Sequence, residues 1–472
     1  MKTPLPDWLE AFRARLGAEV VETHISWLLL TEAFAWKLKK PITLPFLDYG
    51  TAARRRHFCE EELRLNQRFA PELYLGLEAV DDTGEWAVKM RRFPESARLD
   101  HVCARGELTP AQLSGLAEVV VAFHDAAAVA GPETPFGEPE QVRDAALENF
   151  TELFVLLPAA SPRLTCLERW TQEEYARIRP ALAARKAAGR VRECHGDLHL
   201  GNLVMAEGRV LPFDCIEFND DFRWIDVASE LAFTYMDLLD HRRPDLAAWL
   251  LNEWLAGSGD FEAVPVLRFY AVYKAMVRAK VAGIGGNALV AERYLQLAET
   301  IAAPPPARLT ITFGLSGSGK TTASARLLRA DPSATTLRLR SDVERKRLHG
   351  LPPLAHSLPD TRSGGIYTPQ ATRLTFSHLA DTAACLLDAG WSVIVDAAFL
   401  KRAERDTFRD IALRHGAAFA ILACSAPEEE LRRRLQARQG DASEATVAVL
   451  EQQLRWMEAL APDELAWVLP RD

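Results

Sequence analysis

Two acids and one amide lie at a chemically informative spacing near the middle of the chain. In the string HGDLHLGN, Asp197 stands five residues before Asn202, and the following hairpin-like segment LVMAEGRVLPFD ends at Asp214. Sites of phosphoryl transfer use this spacing: one carboxylate orients an acceptor hydroxyl and takes its proton, while the amide and a second carboxylate hold magnesium. The sequence therefore predicts Asp197 as a catalytic base, and Asn202 and Asp214 as metal ligands.

The same string has a second interpretation, as a metal-hydrolase site. His195, Asp197 and His199 could act as three metal ligands. Their alternate spacing suits a strand, however, and the sequence offers no further histidine nearby to complete the set. A purely structural turn is disfavoured by the placement of Gly196 and Gly201. Phosphoryl transfer is the interpretation that we carry forward.

A second string, GLSGSGKT, matches the phosphate-binding pattern G-x-x-x-x-G-K-[ST] in full. The strand-like LTITF precedes it and the helix-like TTASARLLRA follows, so we reject a chance match in a flexible loop. Lys320 would reach the β- and γ-phosphates of a nucleotide, and the Thr321 hydroxyl would complete a magnesium shell. Backbone N–H groups and the helix dipole would bind the phosphates. The predicted nucleotide-contacting residues are Gly314, Ser316, Gly317, Ser318, Gly319, Lys320, Thr321 and Thr322.

Features downstream of this loop favour a kinase over a mechanical ATPase or a GTPase. In RSDVERKRL, Asp342 opens a helix and could accept a proton from a substrate hydroxyl, while Arg345 could hold substrate or phosphate. In WSVIVDAAF, Asp396 ends an apolar strand, where it could support magnesium. No guanine-specific N-K-x-D string is evident, which disfavours a GTPase. The alternative role for Asp342 is a helix cap.

A late arginine-rich segment, LRRRLQARQGD, could close over a nucleotide. It carries Arg433, Arg434 and Arg438 between a helix and a loop, as a lid requires. The alternative is a solvated charged face, which is common for such runs. We predict Arg434 and Arg438 as nucleotide contacts.

The elements that must position these groups fall into two halves, separated by AAPPPA at residues 302–307. A triple proline cannot continue a helix and stiffens the chain. We therefore expect one domain over residues 1–301, a linker over 302–307 and a second domain over 308–472. Residues up to about 93 alternate as strands do, and the remainder of the first half is mostly helical. A small sheet-rich lobe followed by a helical lobe is predicted.

Composition and charge exclude several classes of protein. Of the 472 residues 48% are hydrophobic and 26% charged, as in a folded globular chain of two or three domains. The net charge of −9 argues against a surface that coats nucleic acid, although a local basic pocket is compatible with it. Seven scattered cysteines without a C-x-x-C pair indicate a reducing compartment. With no leader-like or membrane-spanning run, we expect a cytoplasmic protein.

The string HGDLHLGN resembles the aminoglycoside phosphotransferase family over about residues 15–300. The resemblance implies an α+β fold with the two lobes of a protein kinase, ATP and Mg²⁺ as cofactors, and the roles given above for the acids and the amide. It also implies a phosphate-binding lysine on the third strand, in AFAWKLKK, where we prefer Lys37 and expect Lys39 and Lys40 to be solvated. The ion-pair partner of Lys37 would be Glu61 or Glu62, of which we choose Glu61.

Further roles follow from the same resemblance. The turn from Thr23 to Ser26 would cover the phosphates, with Ser26 in contact, and residues 90–93 would form the hinge that receives adenine. Asp226 would brace the catalytic loop. No glycine-rich G-x-G-x-x-G loop is present, and Asp214 lies in FDCIEF rather than in DFG. No aminoglycoside-binding signature is evident, so antibiotic resistance does not follow from the resemblance.

The second half resembles the small-molecule and polynucleotide 5′-kinase branch of P-loop kinases, which implies an α/β domain with a parallel sheet. The fusion is similar to bacterial proteins that join the two kinds of domain. We therefore expect a bifunctional kinase that transfers the γ-phosphoryl group of ATP to hydroxyls of small molecules. Two alternatives stay open: one active kinase with a nucleotide-sensing second half, or a nucleic-acid 5′-hydroxyl kinase in the C-terminal half. A non-enzymatic scaffold is disfavoured, and the sequence predicts no oligomeric state.

Overall fold

The computed structural model describes residues 5–44, 47–355, 365–437 and 442–470. Its backbone contacts divide the chain into two compact units. The first comprises Met1–His241 with Phe269–Ala298, and the second comprises Arg242–Arg268 with Glu299–Asp472. Among the described helices, none is both long enough and apolar enough to cross a membrane.

The first unit begins with a five-stranded antiparallel sheet in the order β1-β2-β3-β7-β6. Its elements are α1 (Asp7–Leu16), β1 (Glu19–Glu22), β2 (Ser26–Leu30), β3 (Phe34–Lys39), β4 (Thr43–Leu44), β5 (Leu47–Asp48), α2 (Ala52–Asn66), β6 (Tyr74–Val80) and β7 (Glu85–Arg91). In β3, Trp36 and Leu38 pack into a core with α1. Because successive side chains of a strand point to opposite faces, Lys37 and Lys39 lie together on the other face.

The remainder of the first unit is mainly helical. Its elements are α3 (Leu99–Ala104), α4 (Pro110–Ala126), α5 (Pro139–Leu156), α6 (Ser161–Ala187), β8 (Val191–Glu193), β9 (Leu203–Ala206), β10 (Arg209–Pro212), α7 (Asp220–Arg223), β11 (Trp224–Asp226) and α8 (Val227–Asp240). The strands β9 and β10 form the predicted hairpin. Every residue of α8 from Val227 to Leu238 is buried, so its polar side chains must find partners within the protein.

Three helices lie between α8 and the next strand of the chain. They are α9 (Pro244–Ser258), α10 (Val264–Ile284) and α11 (Ala288–Ala302). Helix α9 belongs to the second unit, whereas residues 269–298, which form most of α10 and α11, belong to the first.

The second unit contains a four-stranded parallel sheet in the order β13-β14-β12-β15. Its remaining elements are β12 (Arg308–Phe313), α12 (Lys320–Arg329), β13 (Thr336–Arg340), α13 (Ser341–Leu348), α14 (Pro369–Asp388), β14 (Ser392–Asp396), α15 (Arg402–Arg414), β15 (Ala418–Ala423), α16 (Glu428–Gln436) and α17 (Val447–Trp456). The central strands are nearly continuous buried apolar runs, as a sheet covered on both faces requires.

The second unit includes residues 242–268, which differs from the sequence-based boundary at residues 302–307. The side chain of Asn252 in α9 accepts from the N–H of Arg338 at 2.6 Å and donates to the carbonyl of Thr336 at 3.1 Å. These bonds give hydrogen-bond partners to two backbone groups at the open edge of β13. Arg268 donates to the carbonyls of Ala389 and Gly390 at 3.2 and 3.1 Å. Both contacts join distant sequence segments, which a local pattern of residues does not reveal.

The predicted fold class is confirmed for both halves. The first unit has a sheet-rich part followed by a helical part, and the second has a parallel sheet with helices between its strands. The strand-like segments around Trp27, Lys37 and Val88 are β2, β3 and β7.

Candidate functional sites

The loop His195–Asn202 follows β8 and is shaped by three polar residues of α8. Glu230 accepts from the N–H groups of His195 and Gly196 at 2.7 and 2.9 Å. Thr234 donates to the carbonyl of Leu198, and Asp237 accepts from the N–H of Leu200. These three residues occupy one face of the helix at spacings of four and three, which matches its repeat. Hydrogen bonds from the buried helix α8 therefore fix the conformation of the loop.

Within this loop, Asp197 and Asn202 are in direct contact. The Nδ2 atom of Asn202 donates to Oδ2 of Asp197 at 2.9 Å and to its carbonyl at 3.0 Å. Gly196 has φ of 91°, and a Cβ atom there would lie 2.7 Å from the carbonyl oxygen of Phe222. Only glycine fits this position without displacing backbone. The loop thus holds the predicted base against the predicted metal-binding amide.

The two histidines of the loop have structural partners. His195 accepts from the N–H of Asp197 at Nδ1, so its Nε2 carries the proton and donates to the carbonyl of Phe213 at 2.8 Å. Burial lowers the pKa of His195. Nε2 of His199 lies 3.4 Å from Oδ2 of Asp197. Burial disfavours the charged form of His199, but the charge of Asp197 outweighs it and raises the pKa of His199.

Asp214 lies beside the lysine of β3 in the first unit. The Nζ atom of Lys37 forms ion pairs with Asp214 and, at 2.9 Å, with Oε1 of Glu62. Burial disfavours the carboxylate, yet the charge of Lys37 prevails and lowers the pKa of Asp214. Asp214 has φ of 64°, and its N–H donates to the hydroxyl of Tyr74 at 3.0 Å. Lys37, Glu62 and Asp214 therefore converge from a strand, a helix and a loop.

The choice of Glu61 as the partner of Lys37 is wrong. Glu61 pairs with Arg64 at 2.8 Å on the outer side of α2, whereas Glu62, one residue later, is fully buried and faces β3. A helix turns about 100° per residue, so adjacent positions face different surroundings.

The expectation that Lys39 is solvated is also wrong. Lys39 is buried and paired with Glu62 and with Glu217, which also accepts from the hydroxyl of Tyr49. Lys40 pairs with the exposed Glu22, and its side chain is 12% exposed. The two carboxylates raise the pKa of Lys39 although burial opposes this effect. One acid therefore joins both lysines of β3, an arrangement that the sequence did not signal.

Asp226 contacts a helix rather than the catalytic loop. It forms a buried ion pair with Arg185 of α6 at 2.7 Å and caps α8 by accepting from the N–H of Ala228. The loop is held instead by Glu230 and Asp237. The sequence contained a signal for this role, because Glu230, Thr234 and Asp237 recur at helical spacing within an otherwise apolar run.

The predicted covering turn lies between β1 and β2. The N–H of Thr23 donates to the carbonyl of Ser26 at 2.9 Å, which closes the turn. The Oγ atom of Ser26 is buried and has no hydrogen-bond partner among the described residues. The proposed hinge, residues 90–93, spans the end of β7, and the N–H of Arg92 donates to the carbonyl of Ala33.

In the second unit, the loop GLSGSGKT joins β12 to α12. A Cβ atom on Gly314 would lie 2.2 Å from the carbonyl oxygen of Cys424, so the loop passes too close to backbone for a larger residue. Lys320 donates to the carbonyls of Gly314 and Leu315, each at 2.8 Å. The N–H of Ser316 donates to Oε1 of Gln453 in α17 at 2.8 Å. The loop thus folds around its own lysine.

Asp396 and Thr321 approach each other through Ser324 of α12. The hydroxyl of Ser324 lies 3.0 Å from Oδ2 of Asp396 and 3.0 Å from the carbonyl oxygen of Thr321. Asp396 is buried at the carboxyl end of β14, which neighbours β12 in the parallel sheet. Parallel strands bring their carboxyl ends to one edge, so the predicted metal residue lies near the phosphate-binding loop.

Asp342 and Arg345 lie on α13, directly after β13. Burial raises the pKa of Asp342, while a hydrogen bond from Ser443 and the charge of Arg345 oppose the rise. Arg345 is buried and donates to the carbonyl of Ile366 at 3.0 Å, and its guanidinium lies 5.1 Å from the ring centre of Tyr367. The charge of Arg345 therefore acts on Asp342, and their roles as base and acceptor-binding residue stay predictions.

The arginines of the predicted lid differ in their surroundings. Arg434 donates to the carbonyl of Gly317 in the phosphate-binding loop at 3.2 Å and to Glu430 at 2.6 Å. Arg433 pairs with Glu430 and its side chain is 73% exposed. Arg438 lies outside the described residues. Only Arg434 therefore has a described contact with the loop.

Both sites fit a magnesium nucleotide. Ser26 in the first unit and Ser318 in the second each have a buried Oγ atom that no described residue bonds, and phosphate oxygens could accept from them. Asn202 and Asp214 in the first unit, and Thr321 and Asp396 in the second, offer the oxygen atoms that Mg²⁺ prefers.

Comparison with known proteins matches each half of the chain to a family model. Residues 48–270 match the family described as "Phosphotransferase enzyme family", and residues 309–460 match the one described as "AAA domain". Curated relatives from Mycobacterium bovis and Mycobacterium tuberculosis, both described as uncharacterized proteins, are each 29% identical over 446 residues. These alignments cover 91% of this chain and 88% of each relative.

Solved structures that resemble this chain include two kinases. A sugar kinase from Janibacter sp. is 25% identical, with a TM-score of 0.25, and the match covers 34% of this chain and 82% of that one. An ethanolamine kinase from Plasmodium vivax is 10% identical, with a TM-score of 0.38, and the match covers 61% of this chain and 82% of that one. The first family match includes Asp197, Asn202 and Asp214 but begins after Ser26 and Lys37, and the second includes the phosphate-binding loop of the second unit.

Proposed function

Because this chain joins a phosphotransferase-family domain to an AAA-type P-loop domain, we propose that it is an ATP-dependent kinase with two nucleotide sites. Each site transfers the γ-phosphoryl group of ATP to a hydroxyl of a small molecule. The observation that carries the proposal is the convergence of Lys37, Glu62 and Asp214, together with the contact between Asp197 and Asn202.

In the first site, Asp197 accepts the proton of the acceptor hydroxyl. The contact with Asn202 fixes the orientation of Asp197. Burial alone would raise the pKa of Asp197, but the neighbouring His199 outweighs this effect and lowers the pKa, so the carboxylate is ionised at neutral pH. Lys37 donates to phosphate oxygens from β3, and Ser26 donates from the turn. Asn202 and Asp214 hold Mg²⁺, which neutralises phosphate charge when bound.

In the second site, Lys320 gives up its hydrogen bonds to two loop carbonyls when the nucleotide binds, and it then donates to the β- and γ-phosphates. The loop amides and the orphaned hydroxyl of Ser318 bind further phosphate oxygens. Asp342 is the base, Arg345 holds the acceptor and Arg434 closes over the nucleotide. Thr321 and Asp396 hold Mg²⁺.

The acceptors are small molecules rather than nucleic acid, since the net charge of −9 disfavours a polyanion. All seven cysteines are free thiols, which supports a reducing compartment such as the cytoplasm.

The proposal is tested by phosphotransfer from ATP to sugars, aminoglycosides, nucleosides and 5′-hydroxyl oligonucleotides. Wild type is assayed beside Asp197→Ala and Lys320→Ala, with Glu152→Gln as a surface control. Each active-site variant is expected to abolish a different product, because each removes one site. If both variants retain every product, the proposal fails.

The same assay separates the alternatives. If only one variant loses activity, the chain is a single kinase, and the other half binds nucleotide without turnover. If 5′-hydroxyl oligonucleotides are the acceptors lost in Lys320→Ala, the second unit is a nucleic-acid kinase, and its binding will weaken steeply with salt.

A further inference from the structure

Two cationic side chains of α10, one helical turn apart, lie next to the candidate base of the first site. Nη1 of Arg278 is 3.4 Å from Nε2 of His199, the atom that is itself 3.4 Å from Oδ2 of Asp197. Nε of Arg278 donates to the hydroxyl of Tyr294 at 3.3 Å. The guanidinium and the candidate base therefore lie beside the same imidazole nitrogen.

Lys274 is the second cation, four residues before Arg278 on the same helix face. Its side chain lies against the rings of Phe233 and Tyr273, with Nζ 4.9 and 5.5 Å from the ring centres. The residue is 6% exposed, and across the part of the chain that the structure describes its Nζ has neither a hydrogen bond nor an ion pair. Burial lowers the pKa of Lys274, against the opposing charge of Asp197.

Each neighbouring acid bonds another group through at least one oxygen. Glu230 accepts from two amides of the catalytic loop, and Asp237 accepts from the N–H of Leu200 through Oδ2, while its buried Oδ1 has no hydrogen-bond partner among the described residues. Asp197 itself accepts from Asn202. Of the described carboxylates, none forms an ion pair with Arg278 or Lys274. A buried cation without an ionic partner is costly unless a ligand supplies the opposite charge.

The nucleotide has a separate cation in this unit. Lys37 lies on β3 with Glu62 and Asp214, and the described contacts of Arg278 and Lys274 include none of these three residues. The cations of α10 accompany the base and not the phosphate-binding lysine, so they lie where the acceptor must be.

We propose that the acceptor of the first site carries an anionic group, a phosphate or a carboxylate, which Arg278 and Lys274 bind while the acceptor hydroxyl lies at Asp197. This inference rests on the proposed function of the same site. A guanidinium binds either anion with two parallel hydrogen bonds, and the partly desolvated ammonium adds a point charge. A cationic acceptor such as an amino sugar would meet two like charges beside the base.

Binding of inorganic phosphate tests the anion site without requiring turnover. The titration uses the full chain carrying Lys320→Ala, because this substitution weakens phosphate binding at the second unit. Phosphate binding is measured by calorimetry. The Kd is expected to rise at least tenfold when Arg278→Ala or Lys274→Met is added. The control is Lys280→Ala, also on α10, whose lysine pairs with Glu152 and should leave the Kd unchanged.

A non-hydrolysable ATP analogue is titrated in parallel, and its Kd should be the same in all of these variants. An equal phosphate Kd with and without Arg278→Ala would overturn the inference. A loss of ATP-analogue affinity with phosphate binding unchanged would also overturn it, because the two cations would then bind the nucleotide.

Turnover with glucose, glucose 6-phosphate and glucosamine separates this inference from the proposed function. Preference for glucose 6-phosphate, lost in Arg278→Ala, supports both. Preference for glucosamine overturns the inference and leaves the kinase proposal intact. If no acceptor yields ADP while phosphate binding still depends on Arg278, the anion site stands and the kinase proposal fails.

Discussion

The Nζ atom of Lys37 lies 2.9 Å from Oε1 of Glu62, and the other oxygen of the same carboxylate bonds Lys39. The two lysines share one face of β3 because they are two residues apart, and Glu62 reaches both from α2. Glu217, three residues after Asp214, is the second partner of Lys39. This network connects the strand that carries Lys37 with the segment that carries Asp214.

Substitution of Glu62 by glutamine should destabilise the first unit and impair its activity. The change removes the charge that buried Lys39 shares with the largely buried Lys37, and breaking a buried pair typically costs about 3–5 kcal/mol in free energy of unfolding. We expect denaturant unfolding to show a loss in this range, and phosphotransfer at the first site to fall with it.

Glu61→Gln is the matched control, one residue away. Its partner Arg64 is 47% exposed in its side chain, so the loss should be below about 1 kcal/mol. Equal losses in the two variants would contradict the assignment of Glu62.

Substitution of Glu230 by glutamine should reduce kcat at the first site more than it changes KM for ATP. The carboxylate accepts from the N–H groups of His195 and Gly196, and an amide oxygen makes weaker bonds to them than an ionised oxygen does. The loop that holds Asp197 then loses its orientation, so kcat should fall by about tenfold or more. Steady-state kinetics measure both constants. A change confined to KM would show that Glu230 does not position the base.

Sequence reasoning predicted the architecture well because the signals of fold class are local. Alternating apolar residues identified the strands of the first unit, and the phosphate-binding loop was recognisable from its glycines and flanking elements. Pairings between distant segments were not predictable in this way. The buried pairing of Lys39 with Glu217 joins residues that are 178 positions apart.

The choice between Glu61 and Glu62 shows the same limit within a helix. It depends on which side of α2 faces β3, and the polar sequence of α2 gives no apolar stripe that would orient it. Nothing in the sequence gives a reason to select Lys274 and Arg278 as site residues, because cations on a helix without a motif look like an ordinary solvated face.

Asn252→Ala should destabilise the second unit although Asn252 precedes the triple proline by about fifty residues. The substitution leaves the N–H of Arg338 and the carbonyl of Thr336 without their partner at the edge of β13. Such unsatisfied groups cost about 1–3 kcal/mol each. Asn149→Ala is the control, because this buried asparagine bonds only within its own helix and its loss should cost less. Equal unfolding free energies for the two variants would contradict the role of α9 in this unit.

The pKa of Asp342 should appear in the pH dependence of the second unit. Burial raises this pKa, so the native state holds the proton at pH values where the unfolded chain has lost it. Stability therefore falls as pH rises from the ordinary aspartate range through the raised pKa, and Asp342→Asn should not show this fall. Unfolding free energies of the two proteins, measured from pH 3 upwards, should diverge in favour of the asparagine variant.

Activity at the second site should respond to Arg345 in the same pH range. Ionised Asp342 is the form that can act as a base, and Arg345 lowers its pKa. Arg345→Gln should therefore move the acid limb of the pH–rate profile to higher pH, besides raising KM for the acceptor. An acid limb at the same pH in wild type and variant would show that Asp342 is not the group that titrates.

Gln453 is expected to compete with the nucleotide for one amide of the phosphate-binding loop. Its Oε1 atom accepts from the N–H of Ser316 at 2.8 Å, and amides of this loop are the groups that bind phosphate. Gln453→Ala frees that amide, and one hydrogen bond of about 1 kcal/mol corresponds to roughly a fivefold gain in affinity for ATP. The measurement is the Kd of a non-hydrolysable analogue in a chain whose first site is disabled by Lys37→Ala. The exposed neighbour Gln452→Ala is the control and should leave the Kd unchanged. A weaker Kd in Gln453→Ala would instead show that this side chain binds the nucleotide itself.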